Sequence, residues 1–181
     1  MTRYEKIPLA ERKDDIAILV YFVVNLFFIT YMVDVEQLTV ADPWLIINDP
    51  VNAAYPAWPP QWMIHLVHWW GQHFDPVLLE RPPWWRATIW IDSLFFGPYY
   101  LFAIPAFAFG WDKIRGITLV YTGVMITNVT VILFEEFLGP HHTPAPFVVG
   151  MANLPWLLFP AYIMQKMLRK ERPFSRPAPG Y

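Results

Sequence analysis

Residues 16–33 read IAILVYFVVNLFFITYMV, an apolar run broken only by Asn25 and Thr30. At 1.5 Å rise per residue, about 20 apolar residues cross the hydrocarbon core of a bilayer, and this run comes close to that length. It follows a charged segment (Arg3, Lys6, Arg12, Lys13), as the core of a secretory leader would. It ends, however, on Asp34 and Glu36 and not on a small-residue cleavage site. The run is therefore expected to be a retained membrane span.

Three further windows meet the same requirement, at about 84–109, 114–138 and 147–168. The first of these contains one acid, Asp92, and the next closes on Glu135 and Glu136. Pro98, Pro105, Pro155 and Pro160 fall inside the second and fourth spans. In a membrane bundle, neighbouring helices can satisfy the carbonyls that proline frees, so kinks leaving room for a cavity are expected. Between the first two spans, residues 34–60 are rich in Pro, Asp and Asn and read as loop. Residues 61–74 then place Trp62, Leu66, Trp69, Trp70 and Phe74 at mostly helical spacing, with His65, His68 and His73 among them. That pattern predicts a short amphipathic helix capping the bundle or lying at the interface. The expected architecture is all-α: a four-helix transmembrane bundle, Pro-kinked, with a capping helix in its first loop. Residues 1–15 precede this domain (16–170), and the Pro-rich tail 171–181 reads as disordered.

Positive charge sets the orientation. Arg3, Lys6, Arg12 and Lys13 precede the first span, Lys113 and Arg115 lie between the second and third, and Lys166, Arg169, Lys170, Arg172 and Arg176 end the chain. The loop at 139–146 has neither Lys nor Arg, and the long first loop has only Arg81, with Arg86 just inside the second span. Both termini are expected in the cytoplasm, which requires an even number of spans. Three spans would put the two basic ends on opposite sides.

Composition points the same way. Of 181 residues, 15% are charged and 56% hydrophobic, where a soluble domain carries about 25% charged residues. A net charge of −2, with no basic patch interleaved with aromatics, argues against a nucleic-acid partner. There is no cysteine, which excludes disulfides and thiolate metal sites. Neither a nucleophile elbow, a glycine-rich phosphate loop nor a zinc-protease motif occurs. His65 with His68, and the adjacent His141 and His142, lack a third ligand at a fixed offset. They read as polar groups on a wet helix face, and no metal or other cofactor is expected.

An ionisable group within a span costs about 2.5–3.5 kcal/mol on insertion scales and so calls for a reason. With the orientation above, Asp34, Asp75, Asp92, Glu135 and Glu136 gather at the non-cytoplasmic end of the bundle, with only Arg81 in the loops to balance them. Glu136 reads as a helix-end carboxylate in water, and Asp75 has a plain alternative role in capping the turn before Pro76. Asp92 differs, because Trp90, Ile91, Leu94 and Phe95 surround it with apolar bulk. A carboxyl in such a place shares a proton with another acid, binds a cationic amine, or exchanges a proton with a substrate. Tyr99, Tyr100, Tyr121, Trp156 and Phe159 offer faces for cation–π contact, although plain packing leaves the same stripe.

Five fragments carry a resemblance: ITYMVDVEQL (29–38), FDPVLLERPPWW (74–85), WIDSLFFGPYY (90–100), VILFEEF (131–137) and LPWLLFPAYI (154–163). In their order and spacing they resemble the EXPERA family of four-span membrane proteins, which includes the sigma-2 receptor and the emopamil-binding sterol isomerase. The likeness runs from about 20 to 169 and is strongest to the sigma-2 receptor branch. There, an aspartate ending the first span pairs with the ligand amine, which implies that role for Asp34. The aspartate of the family's DP turn, a support of the site, corresponds to Asp75. Where the family has a glutamate early in the second span, this chain has Asp92, which keeps the charge but moves it back. The third-span polar position appears as Asn128, beside Thr127. In the fourth span the aromatic position is Trp156, and Asn153 stands where the family has a tyrosine. Phe96 replaces a glutamine.

The resemblance thus implies a ligand-binding set of Asp34, Asp75, Asp92, Asn128, Asn153 and Trp156, with Glu135, Thr127 and Tyr121 as secondary candidates. The sterol isomerases of the family carry a His and a Glu one turn apart in the first span, and NLFFITYMV (25–33) has neither. The expected function is a non-enzymatic intramembrane receptor or carrier for sterols or cationic amphiphilic amines. A sterol Δ8–Δ7-type double-bond isomerase and a structural or trafficking partner are the alternatives. The resemblance implies the endoplasmic reticulum, and a homodimer is left open.

Overall fold

Apolar runs bounded by charge and proline become four long helices: Lys13–Thr39, Pro83–Phe109, Asp112–Leu138 and Pro146–Arg169, each long and apolar enough to cross a membrane. The computed structural model describes residues 3–178. Pro83 and Pro146 open the second and fourth spans, positions where a backbone N–H would have no partner in any case. The winding continues through Pro105, Pro155 and Pro160. Phe27, Leu94, Phe102 and Leu158 point outward and are 58–68% exposed. Apolar surface of that extent suits lipid contact and would be a liability in water.

Two stretches depart from α-winding. Asn25–Asp34 in the first span and Asp92–Phe96 in the second are wound as π-helix. A π turn re-phases the side chains that follow it, and such turns concentrate at functional sites. The two stretches pack against each other, and Gly97 makes the close approach possible. A Cβ there would stand 2.9 Å from the Tyr31 hydroxyl and 3.0 Å from Thr30.

One half of the bundle, next to the two termini, is filled by aromatic packing. Tyr99 stacks on Tyr121 at 4.1 Å, and Phe22 meets Tyr99, Tyr100 and Phe107. The turn joining the second and third spans closes on Gly110 in the left-handed region (φ 67°), with Trp111 N donating to Ala106 O at 2.8 Å.

The same end corrects the expectation of a disordered tail. Ser175–Pro177 pairs antiparallel with Tyr4–Lys6 as a two-stranded sheet, β1 (Tyr4–Lys6) and β2 (Ser175–Pro177). Phe174 is fully buried against Phe107, at 5.0 Å, with the Arg12 guanidinium 5.1 Å from its ring. Its N–H donates to Asp112 at 2.8 Å. The buried ring and the hydrogen bonds on either side of it, Phe174 N–H to Asp112 and Ile7 N–H to Phe174 O at 2.9 Å, decide this, and none is visible in a Pro-rich composition. Residues 179–181 of that tail lie outside the described residues.

At the opposite end, the first loop folds into a lid. Pro43–Asn48 is a short helix capped by Asp42, which accepts from Leu45 N at 3.1 Å. The capping helix is Gln61–His73, with Met63, Ile64, Val67, His68 and Gly71 buried and Trp62, Leu66 and Trp69 exposed. The turn of helix Val77–Glu80 leads from it into the second span. Arg81 is held at φ 48°, an uncommon conformation for a side chain of its size. Its guanidinium spans three anchors: Leu78 O at 2.7 Å, Val40 O at 2.8 Å and the Glu36 carboxylate at 2.7 and 2.9 Å. His68 Nε2 meets Glu36 at 2.8 Å. His68 is therefore buried in an ion-pair cluster and not, as its spacing suggested, on a wet helix face.

Candidate functional site

Beneath this lid, between the four spans, lies a cavity of about 430 Å³, within the range of pockets that hold drug-sized ligands. Its wall is largely apolar, with Met63, Val67, Trp70, Trp85, Ile89 and Val129 among the lining side chains. Asp34, Asp75, Asp92, Asn128, Asn153 and Trp156 all reach it. The six residues implied by the resemblance are thus gathered around one space.

The acids stand in pairs. Asp34 ends one π-helical stretch and Asp92 begins the other, so the approach of the two stretches brings their carboxyls into hydrogen-bonding contact. The shorter side chain at Asp92 reaches Asp34 because the helices come together at Gly97. Thr30 donates its hydroxyl to Asp92 from within the bundle. The second pair joins the lid to the third span, where Asp75 is in hydrogen-bonding contact with Glu136. Asn153 Nδ2 donates to Glu136 at 3.2 Å. Burial pushes the Asp75 carboxyl up from 3.8 to about 6, against the opposing pull of its hydrogen bond with Glu136. A hydrogen bond between two carboxyl groups requires a proton on one of them. Each pair is therefore suited to hold one proton and one negative charge.

Nothing basic offsets these charges. Among the described residues, no Lys, Arg or His lines the cavity, and Arg81, the one Lys or Arg of the first loop, is committed to Glu36. Asp34 Oδ2 and Asp75 Oδ1 are buried and receive no hydrogen bond from an N–H or hydroxyl group. Such oxygens favour a ligand that brings its own donor or positive charge.

Other polar groups hold the wall in shape. Trp156 Nε1 donates to Asn25 Oδ1 at 2.7 Å, and Asn25 Nδ2 donates to Tyr21 O at 2.7 Å. Gln37, also on the wall, accepts from Trp85 Nε1 at 2.5 Å.

The secondary candidates fall elsewhere. Tyr121 is sealed in the aromatic half, its hydroxyl 3.1 Å from that of Tyr100. Thr127 bonds Gly123 O at 3.0 Å and lies in a groove between the second and third spans, not among the residues lining the cavity. Glu135 turns away from the cavity to His141, at 2.6 Å. Glu136, expected to be an ordinary helix-end carboxylate in water, is the one that faces inward, with 1% exposure. A signal for it was present. Met125, Val129, Ile132 and Glu136 recur at helical spacing on the face that lines the cavity, and adjacent residues cannot share a helix face. Among the described residues, no three His, Asp or Glu side chains come together as a metal site.

Comparison with known proteins gives a consistent result. The family model for EBP, described as EXPERA (EXPanded EBP superfamily), matches residues 62–167. Over 141 residues the chain is 27% identical to "Sigma intracellular receptor 2" of Xenopus tropicalis, an alignment covering 72% of this chain and 82% of that relative.

Proposed function

Because the chain belongs to the EXPERA family, we propose that this integral membrane protein is an intramembrane receptor or carrier whose cavity binds a sterol or a cationic amphiphilic amine. Asp34 is the counter-ion for the amine, Asp92 and Thr30 position it, and Asp75, Asn128, Asn153 and Trp156 complete the wall. One observation carries the reading: Asp34 presents a buried carboxyl oxygen that no N–H or hydroxyl group reaches, in a largely apolar cavity lined, among the described residues, by no basic side chain. A lipophilic amine supplies the missing charge and fills the apolar volume together. Its likeness to a protein called a sigma intracellular receptor supports the same reading. Both termini are assigned to the cytoplasm, in the endoplasmic reticulum membrane, with the lid on the lumenal face.

The test is binding of a hydrophobic amine to purified protein and to Asp34→Asn. The variant is expected to lose binding while keeping its helical circular dichroism. Unchanged affinity would overturn the assignment.

The contact between Asp34 and Asp92 also favours a second reading, since a carboxyl beside a carboxylate is equipped to move a proton onto and off a sterol ring double bond. Incubation with a Δ8-sterol in deuterated water decides it. Deuterium in a double-bond-shifted product establishes an isomerase, and recovery of unlabelled sterol excludes one.

A further inference from the structure

The two acid pairs stand at different depths of one cavity. Glu136 lies two residues from the end of its span and Asp92 nine residues inside the start of its own, both counted from the lid side. At 1.5 Å per residue the pairs are offset by on the order of 10 Å along the bundle. Apolar wall lies around them, including Leu78, Val129 and Ile132. Each pair includes one buried carboxyl oxygen that no N–H or hydroxyl group of the protein reaches, Asp34 Oδ2 in the deeper pair and Asp75 Oδ1 in the upper. These residues are only 6% and 5% exposed.

A single ammonium group satisfies one pair and leaves the other charged in an apolar enclosure, where an unpaired charge is costly. A hydroxyl at the second pair donates one hydrogen bond but leaves its net charge in place. A second ammonium group neutralises it. We propose that the preferred ligand class of this cavity is a lipophilic dication: two protonated amines joined by an apolar spacer, one held at Asp34–Asp92 and the other at Asp75–Glu136. The proposal rests on the cavity being an amine site and adds a second charged subsite to it.

The test compares α,ω-diaminoalkanes, from octane to tetradecane, with primary monoamines of the same chain lengths. Binding is measured by calorimetry on the full chain in a non-ionic detergent at neutral pH. At one chain length the diamine is expected to bind at least about tenfold tighter than its monoamine, equivalent to ~1.4 kcal/mol. That exceeds the statistical doubling supplied by two equivalent ends. In the Asp75→Asn/Glu136→Gln double variant the advantage is expected to collapse to that doubling. Equal affinities at every chain length in the unaltered protein overturn the dication, a result that needs no variant to fold. An advantage that survives in a folded double variant overturns the second subsite. If the monoamines bind and lose affinity in Asp34→Asn while no diamine exceeds them, the amine-site reading stands and only the dication falls. If no amine of either class binds, both fall.

Discussion

Asp34, the last residue of one π-helical stretch, and Asp92, the first residue of another, meet carboxyl to carboxyl inside the bundle. The contact depends on a third residue, Thr30, which donates its hydroxyl to Asp92 and is itself fully buried. Thr30→Val keeps the shape and removes the donor, leaving a buried acceptor short of one bond. A loss of about 1–3 kcal/mol is expected from that change. Chemical denaturation in mixed micelles checks it, and amine affinity should fall in the same variant.

Gly97 lets the two π-helical stretches approach, since a Cβ there would collide with Thr30 and Tyr31. Gly97→Ala is expected to destabilise the protein by about 1–3 kcal/mol through overpacking. It should also weaken amine binding, because the added methyl group separates the first span from the second where the acids pair. Binding that is undiminished in a destabilised Gly97→Ala protein would show that the acid contact tolerates separation.

Arg81, Glu36 and His68 hold the lid through a buried ion pair. Arg81→Met leaves Glu36 charged and enclosed, at a cost of about 3–5 kcal/mol. Combining it with Glu36→Gln removes the orphaned charge, so the double variant should recover much of the stability lost in the single one. A double-variant cycle read by thermal melting measures the coupling.

Burial raises the Asp75 carboxyl from 3.8 to about 6 in the folded protein. Between those values the unfolded chain has released the proton and the folded chain keeps it. The contribution of Asp75 to stability is therefore fully present below about pH 3.8 and is lost as pH rises towards about 6. Amine binding runs the other way, because a cation prefers the ionised form. Affinity for a diamine whose second ammonium lies at Asp75–Glu136 is expected to rise about tenfold between pH 5 and pH 7 as this carboxyl ionises, and Asp75→Asn should flatten that component. Titrations of amine binding at fixed ionic strength give both profiles.

Phe174 is buried at the end of the bundle away from the cavity. Phe174→Ala is expected to cost about 3–5 kcal/mol and to expose residues 170–178 to limited proteolysis. Amine affinity should be unaffected, which separates this anchor from the site. A variant as stable and protease-resistant as the parent would return the tail to a dispensable extension.

How far the site could be read in advance differs from residue to residue. Asp34, Asp75 and Asp92 stood out because carboxyls in apolar surroundings need a reason, and the resemblance put Asn128, Asn153 and Trp156 beside them. Glu135 and Glu136 show where the reading failed. Both end the same span, and helix phase sends one to His141 and the other to Asp75. That phase was written in Met125, Val129 and Ile132, but it becomes informative only once the direction of the cavity is known. Tyr121 shares the helix face of Met125 and Val129, but one turn deeper that face meets packed aromatics and not the cavity. His68 and Arg81 belong to a partnership with Glu36 that joins two segments distant in the chain.

The sequence by itself determined that four segments cross a bilayer, that a helix caps them and that acids concentrate toward one end. Partition into lipid is a sum over neighbouring residues, so hydropathy and charge can be read locally. Only the tertiary structure decided which acids become pairs, which cation is spent elsewhere and how Phe174 anchors the tail. Those outcomes depend on π-winding, on helix phase and on the close approach at Gly97. Each is a relation between surfaces far apart in the chain, and no local sum of residue properties contains it.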